Sequence, residues 1–419
     1  MPKLNSIYIY IYKLKWLMYD SITSGWDAML WFFAIPVKDS SAIDKKNAKI
    51  IMYVGEFLPP RIARLAKWCK KYESFTTLLI CHKRGFVKKF SNEEIDQIIL
   101  FRNKWHLKRI IRVLPAPYVM HGFAPKSKYP YIALQACKKY HASKSVIADF
   151  QDVFIIYYGH ESNLNWLKKE LPFEKKFLQY SDGLVANSLE PREGMRMWGI
   201  KEKKKSIFFP LYADNDYFCS APKTFSMDDI HLVYVGGVMG SHRDKVHYGS
   251  VQFHWLIDYL SKQKIHFHIY PSPSTLRADY MEYEQIAKEN PYFHFHVSVA
   301  QQDLAVELSK YHYGLVPFFK ANSGQSDLKH KYATTLKLFN YLESGIPVLV
   351  GADFVYQSWL VERYKLGVVV SDKETFADLR KVITKVPYDQ QVKNLLESRE
   401  ELSLKKHTPR LLEFYKSLQ

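Results

Sequence analysis

From Lys49 onward, short runs of apolar and β-branched residues alternate with longer stretches whose apolar residues recur at helical spacing. The alternation runs through the chain twice, and that constrains the fold more than any other feature. KIIMYVGEF reads as a strand with Gly55 near its end. PPRIARLAKWCKKY follows, opening on proline and spacing Ile62, Leu65, Ala66 and Cys69 for one helical face. TTLLICHK, IIRVLPAPYVMHG, SVIADFQD and GLVANS continue the strands. YIALQACKKYHA and NLNWLKKELPFEKKFLQYS supply helices between them. The second half restarts with IHLVYVGGVMG, a strand and glycine turn, then VQFHWLIDYLSKQ, IHFHIYP, YMEYEQIAKEN, FHFHVSV, DLAVELSKY, YGLVPFF, LKLFNYLESG, PVLVG and GVVVS. Strands alternating with helices predict parallel sheets covered on both faces. The fold class is therefore α/β, with two tandem Rossmann-like domains facing a central cleft. Turn formers in FPLYADNDYFCSAPKTFSMDD mark the join. The expected organisation is an aromatic-rich appendage at 1–48, a first domain at 49–215, a second at 216–385 and a helical tail at 386–419.

The 419 residues suffice for about two to three domains. Charged residues make up 24% and hydrophobic ones 47%, which excludes a disordered or rod-like chain. The formal net charge of +18 should attract polyanions such as nucleic acid, anionic lipid or phosphorylated substrates. Cys69, Cys81, Cys137 and Cys219 are scattered without a CxxC pair, so no zinc ribbon or thioredoxin-type site is expected and a reducing cytosol suits the chain. No run reaches the roughly 20 apolar residues needed to span a bilayer. AMLWFFAIPV, the longest, carries a proline next to its end, and the lysine-interrupted start is a poor signal peptide. The expected location is cytoplasmic, at the inner face of the membrane. Trp16, Trp26, Trp31 and Phe32 suit an interface-seeking segment, or alternatively a flap on the main body.

In open parallel sheets ligands sit at the carboxyl ends of the strands. Two such domains place the site between them, at the loops after GEF, VMHG, DFQD, VGGVMG, YPSPS and VPFF. Gly236, Gly237 and Gly240 let backbone approach a phosphate, with Arg243 and Lys245 adding charge. Thr334 and Thr335 sit just before a helix as caps. Lys337 falls in that helix's first turn, where a cation opposes the helix dipole, so an anion in front would justify it. Asn340 and Glu343 follow, each a turn further.

Together these segments resemble the GT-B glycosyltransferases, in particular the mostly retaining, nucleotide-sugar-dependent group 1 enzymes of bacterial polysaccharide assembly. LQYSDGLVANSLEPREGM, FPLYADNDYF, HLVYVGGVMG and TTLKLFNYLESGIPVLV carry the resemblance in order across about residues 49–385. It implies transfer of a hexosyl or related sugar from a nucleotide-diphosphate sugar to a glycan or lipid-linked acceptor, without cofactor or metal. It also implies that Lys337 and Arg243 stabilise the leaving diphosphate, and that Thr334, Thr335, Gly236 and Gly237 contact its phosphates. Asn340 stands where the family usually has a glutamate that grips the ribose, and Tyr332 where the first of a glutamate pair is common. Tyr270 and Val299 follow two strands as base contacts.

A diphosphate gains charge as it leaves an oxocarbenium-like centre, so cations aimed at it act in the transition state. In a retaining enzyme the donor phosphate can take the acceptor proton, whereas an inverting one needs a carboxylate or histidine. Asp152, at a strand's carboxyl end, His121 and Glu56 are the acceptor-side candidates; Asp152 also reads as a cap or turn residue, and His121 as a loop histidine. Asp214-Asn215-Asp216 spells DxD but falls in the join, where aspartates make turns. The histidines of HFHIY and YFHFH alternate on strands and read as sheet residues, with no carboxylate or cysteine at matching spacing. Arg102, Lys108, Arg109 and Arg112 form a basic helix patch suited to anionic lipid or a lipid-diphosphate acceptor. Two rival readings stand beside the transferase: a nucleotide-sugar epimerase of the same fold, and a non-catalytic binding protein. A nucleic-acid partner is not expected, since no recognised RNA- or DNA-binding motif is present.

Overall fold

The computed structural model describes residues 49–419 except 58, 86–93, 125, 162–163, 202, 220–225, 227, 274 and 320–326, together with Ile22, Ser24, Gly25, Trp26 and Met29. The interface-seeking expectation for Trp16, Trp31 and Phe32 lies outside the described residues. Two parallel sheets form the frame. The first holds β1 (Lys49–Phe57), β2 (Phe75–Gly85), β3 (Gln97–Phe101), β4 (Val119–Ala124), β5 (Ser145–Phe150), β6 (Gly183–Ala186) and β7 (Lys205–Phe208) in the order β3-β2-β1-β4-β5-β6-β7. The second holds β8 (His231–Gly236), β9 (His266–Pro271), β10 (Phe293–Phe295), β11 (Tyr313–Val316), β12 (Val348–Gly351) and β13 (Gly367–Val370) in the order β10-β9-β8-β11-β12-β13. Strand order reverses between β1 and β4 and again between β8 and β11, and crevices open at such points.

Side chains of β1 alternate between two cores. Ile50, Met52 and Val54 join one cluster, whereas Ile51 and Tyr53 join the cluster on the opposite face. Both faces are buried, so the strand reads as a continuous apolar run. The second sheet is covered in the same way, with Val233 on one side and Leu232 and Tyr234 on the other.

β3 and β7 are not marked in the sequence reading, and one segment that is marked differs from it. IIRVLPAPYVMHG was expected as a strand throughout, but its first part ends a helix, Lys104–Val113, and β4 begins only at Val119. The Asn103 side chain caps that helix by accepting from the amides of Trp105 and His106. Leu114 is extended before Pro115, as the residue preceding a proline prefers.

The tail at 386–419 divides. Helix Tyr388–Ser398 stays with the second domain, through Tyr388 and Leu395. The chain then recrosses the join, where Ala213 donates to the Leu402 carbonyl (2.9 Å) and Leu404 to the Ala213 carbonyl (2.8 Å). Helix Leu404–Ser417 packs Leu411, Leu412, Phe414 and Tyr415 into the first domain. No helix among the described residues is long and apolar enough to cross a membrane.

Candidate functional site

Between the domains lies a cavity of about 350 Å³. The first domain contributes Pro59, Pro60, Arg61, Gln151 and Asn187, from the loops after β1, β5 and β6. Seven residues picked from the sequence line the other wall: Gly236, Tyr270, Val299, Thr334, Thr335, Lys337 and Asn340. They come from the ends of β8 and β9, the loop after β10, and the start of helix Leu336–Ser344.

Lys337 is the centre of this wall. Thr335 caps the helix, its hydroxyl accepting from the Lys337 amide (3.4 Å). The Lys337 ammonium lies 5.2 Å from the ring centres of both Tyr234 and Phe318, a cation–π cradle. Burial, with help from the Lys329 charge, pushes its pKa down to about 8. Among the described residues no carboxylate lies within ion-pair distance of it. Gly236 makes the placement possible. Its φ is +138°, and a Cβ there would stand 2.8 Å from Lys337 Cε and 3.0 Å from Nζ. The result is a cation at the amino end of a helix, an arrangement that favours an anion.

Around it the lining is fixed. The Tyr270 hydroxyl lies 2.7 Å from Glu307 Oε1 and 2.6 Å from the Tyr311 hydroxyl. Asn340 Oδ1 accepts from Arg64 Nη2 (3.2 Å), which leaves its Nδ2 amide as a donor. Arg64 also binds Glu343 Oε2 (3.0 Å), and Glu343 Oε1 accepts from the Asp214 amide (2.7 Å). Arg64 belongs to the first domain and Glu343 to the second, so this buried pair pins the halves at the edge of the cavity. Burial raises the Glu343 pKa and the facing Arg64 opposes that rise.

His121 does not reach the cavity, contrary to expectation. It sits on a central strand with its ring fully buried, Nδ1 2.7 Å from the Tyr415 hydroxyl and Nε2 3.1 Å from Asp149 Oδ2. Its β4 position faces the side covered by helices Pro60–Tyr72 and Leu404–Ser417. The lining cation of that domain is instead Arg61, which sequence reading missed. Asp149 holds Arg61 Nε (3.1 Å), and the carbonyls of Phe209 and Pro210 hold its Nη atoms (2.8 and 3.1 Å). The signal was available: Arg61 opens the helix after β1, in a loop already marked for attention.

Arg243 lies outside the described lining. Asp279, itself buried, engages its Nε (3.1 Å) and Nη2 (3.0 Å). Gly237 is also absent from the lining, its carbonyl accepting from the Tyr234 hydroxyl (3.0 Å). Asp152 adjoins the lining residue Gln151 and belongs to a cluster. The Tyr157 hydroxyl lies 2.9 Å from Asp152 Oδ1 and 2.7 Å from Glu190 Oε1. Burial and the neighbouring Asp152 hold Glu190 well above the usual carboxylate range, and burial raises Asp152 as well. The Lys329 ammonium lies 5.1 Å from the Tyr157 ring centre, bringing the second domain onto this cluster. Glu56 pairs with Lys126 (3.2 Å), away from the lining.

The DxD aspartates are joining residues. Asp214 accepts from Trp68 Nε1 (2.8 Å) and pairs with Lys67 (2.5 Å), while Asp216 pairs with Lys67 (3.0 Å) and Lys71 (2.5 Å). In the first domain, Arg102, Lys104, Lys108 and Lys128 line a separate basic cavity of about 480 Å³, which Ser24 also borders.

Residues 251–413 match the family described as Glucosyltransferase 3-like, C-terminal domain. That stretch carries all but Gly236 of the second-domain candidates in the cavity wall. No curated protein matches the chain. Among solved structures, HepE of Anabaena in complex with UDP-glucose is 13% identical with a TM-score of 0.59, covering 88% of this chain and 99% of that one. A glycosyltransferase from Rickettsia africae gives 13% and 0.57, covering 89% and 99%. A putative UDP-N-acetylglucosamine 2-epimerase from Listeria monocytogenes gives 11% and 0.54, covering 89% and 97%. The two-domain fold is GT-B.

Proposed function

We propose that the protein is a glycosyltransferase that takes a sugar from a nucleotide-diphosphate sugar and gives it to a glycan or lipid-linked acceptor. The observation that carries this reading is Lys337: a desolvated ammonium at a capped helix start, facing an interdomain cavity, with no described carboxylate partner. In the reaction an acceptor oxygen bonds to the anomeric carbon as the bond to the diphosphate oxygen breaks. The acceptor's proton leaves with the diphosphate or to a base. Charge grows on the diphosphate as it departs, and Lys337, the amides after Thr335 and Arg61 across the cavity are placed to receive it. Arg243 would join them only by releasing Asp279. Tyr270 and Val299 frame the base, and Asn340 offers an amide to the ribose. The family match and the UDP-sugar complex of HepE support the donor class.

A role in surface-polysaccharide assembly follows from the sequence resemblance. Peripheral contact with an anionic membrane draws on the basic cavity beside Ser24. Both are parts of the same proposal.

Thermal shift with a panel of nucleoside diphosphates and nucleotide sugars tests donor binding, since a ligand of the native state raises Tm with concentration. Product analysis with and without saccharide acceptors then separates the reaction classes. Sugar transferred to an acceptor supports the proposal. A changed nucleotide sugar formed without acceptor identifies an epimerase instead. No shift with any member of the panel would end the donor-site reading.

A further inference from the structure

Of the histidines read from sequence as sheet residues, His266 and His268 lie on β9 and His294 on β10, with His296 just beyond it; His231 on β8 joins them in one organised array. The His231 and His266 rings stack with centres 4.4 Å apart and planes 7° apart. Asp229, in the turn leading into β8, faces both. Its Oδ2 is 3.3 Å from His231 Nε2, and its Oδ1 is 3.4 Å from His266 Nε2. This is the carboxylate that histidine spacing alone did not reveal. We infer that Asp229, His231 and His266 form a binding site for a first-row transition metal ion, of which Zn²⁺ is the natural occupant by ligand type.

The ligand chemistry fits, since two imidazoles and one carboxylate are a common Zn²⁺ donor set. The spacing fits as well. Bonds of about 2.0–2.1 Å to a tetrahedral ion set its ligand atoms about 3.3–3.4 Å apart. The two carboxylate oxygens each stand at that distance from one imidazole, and one ligand atom from each residue lies within 4.8 Å of the others. Binding one ion would turn a ring out of the parallel stack so that both Nε2 atoms converge on it.

The surrounding hydrogen bonds also suit a metal. His231 Nδ1 is 2.9 Å from His268 Nε2, and His266 Nδ1 is 2.8 Å from His294 Nε2. A ligating histidine ordinarily donates its other ring N–H to a fixed partner, and His268 and His294 stand where they can accept those Nδ1 protons once an ion takes the Nε2 positions that face Asp229. No lysine or arginine among the described residues pairs with Asp229. Its side chain is 68% exposed, which leaves a route for the ion and a fourth position for water.

The site is separate from the cavity. His231 begins β8 and Gly236 ends it, so the two are about 16 Å apart at about 3.3 Å per residue. A structural ion there would clamp the starts of β8 and β9. From His268 the ladder continues to His296 (2.9 Å), whose ring stacks at 4.3 Å on Tyr270 of the cavity wall. The ion would thus stiffen the donor wall from behind without touching a reacting atom.

The test uses the untagged full chain, stripped with chelator and titrated with Zn²⁺ by calorimetry, with no nucleotide present. One ion per chain is expected, with a rise in Tm. Substituted Co²⁺ should show the intense visible absorption of a tetrahedral site. Asp229→Ala changes an exposed residue, and His266→Ala a second ligand; each should abolish saturable binding. His268→Ala, which removes the hydrogen bond behind His231 but no ligand atom, should weaken it about 10–100-fold. Absence of stoichiometric binding, or binding retained in both ligand variants, overturns the assignment. Neither result bears on the transferase proposal, because nothing in the experiment uses a donor.

Discussion

Lys337 carries opposing demands. Folding disfavours its charge, and a diphosphate requires it. With its pKa near 8 in the folded protein, against about 10.4 in an unfolded chain, the charge costs stability at neutral pH. That cost fades as pH rises from about 8 toward the unfolded value. Lys337→Met should therefore raise Tm at pH 7 without ligand while abolishing transfer, which thermal melts and turnover assays check together. A bound diphosphate stabilises the charged form, so donor affinity should fall as pH climbs through 8, with proton uptake on binding. Lys337→Arg should flatten that profile. Equal affinity at pH 7 and pH 9 in the unmodified protein would show that Lys337 does not meet the phosphates. Single residues were legible where local pattern fixes position: a threonine cap and a first-turn lysine declare themselves. His121 did not, because which face of β4 it takes depends on packing against a helix almost 300 residues later. Arg61 stands beside a loop that the strand pattern does single out, but its partners Asp149, Phe209 and Pro210, which turn it toward the cavity, meet it only in the folded domain.

At the scale of elements, the turn after β8 and helix Leu336–Ser344 form one unit, since each occupies space that the other leaves. Gly236→Ala puts a methyl 2.8 Å from Lys337 Cε, too close for both to stay, and strains a backbone at φ +138°. We expect donor affinity to drop about tenfold or more because the ammonium is displaced, and Tm to fall as well, since backbone strain of about 1–3 kcal/mol is a cost to folding. Calorimetry with the best diphosphate checks it. Unaltered affinity would mean that the ammonium is held by other contacts. Most strands and helices were readable from period, since a run buried on both faces has few other fates, whereas β3 and β7, more exposed at the sheet edges, escaped that test. The misread segment, residues 110–114, is instructive. Ile110 and Ile111 look β-branched and apolar, but the Asn103 cap had already committed them to a helix, and the prolines at 115 and 117 delayed β4.

At the scale of the molecule, the chain passes twice between domains and is pinned there by buried ion pairs. The sequence pattern marked the first crossing by its turn formers. The second was not legible, because a helical tail carries no mark of the domain against which it packs. Two perturbations separate the roles of these features. Arg64→Ala leaves Glu343 buried and unpaired, a change worth about 3–5 kcal/mol, and should loosen the interface as well as lower Tm. Deleting residues 404–419 removes Leu411, Leu412 and Tyr415, all at most 3% exposed, from the first domain's core. At about 1.5–3 kcal/mol for each large apolar side chain, the loss rivals the whole stability of an ordinary domain. The truncated chain should therefore lose its first domain while the second, whose own core is untouched, stays resistant to protease. Limited proteolysis with mass identification of the surviving fragment distinguishes this from general unfolding. A truncated chain that melts within a few degrees of the full one would mean that the last helix is a passenger. In that case the Tyr415 bond to His121 would carry no structural weight.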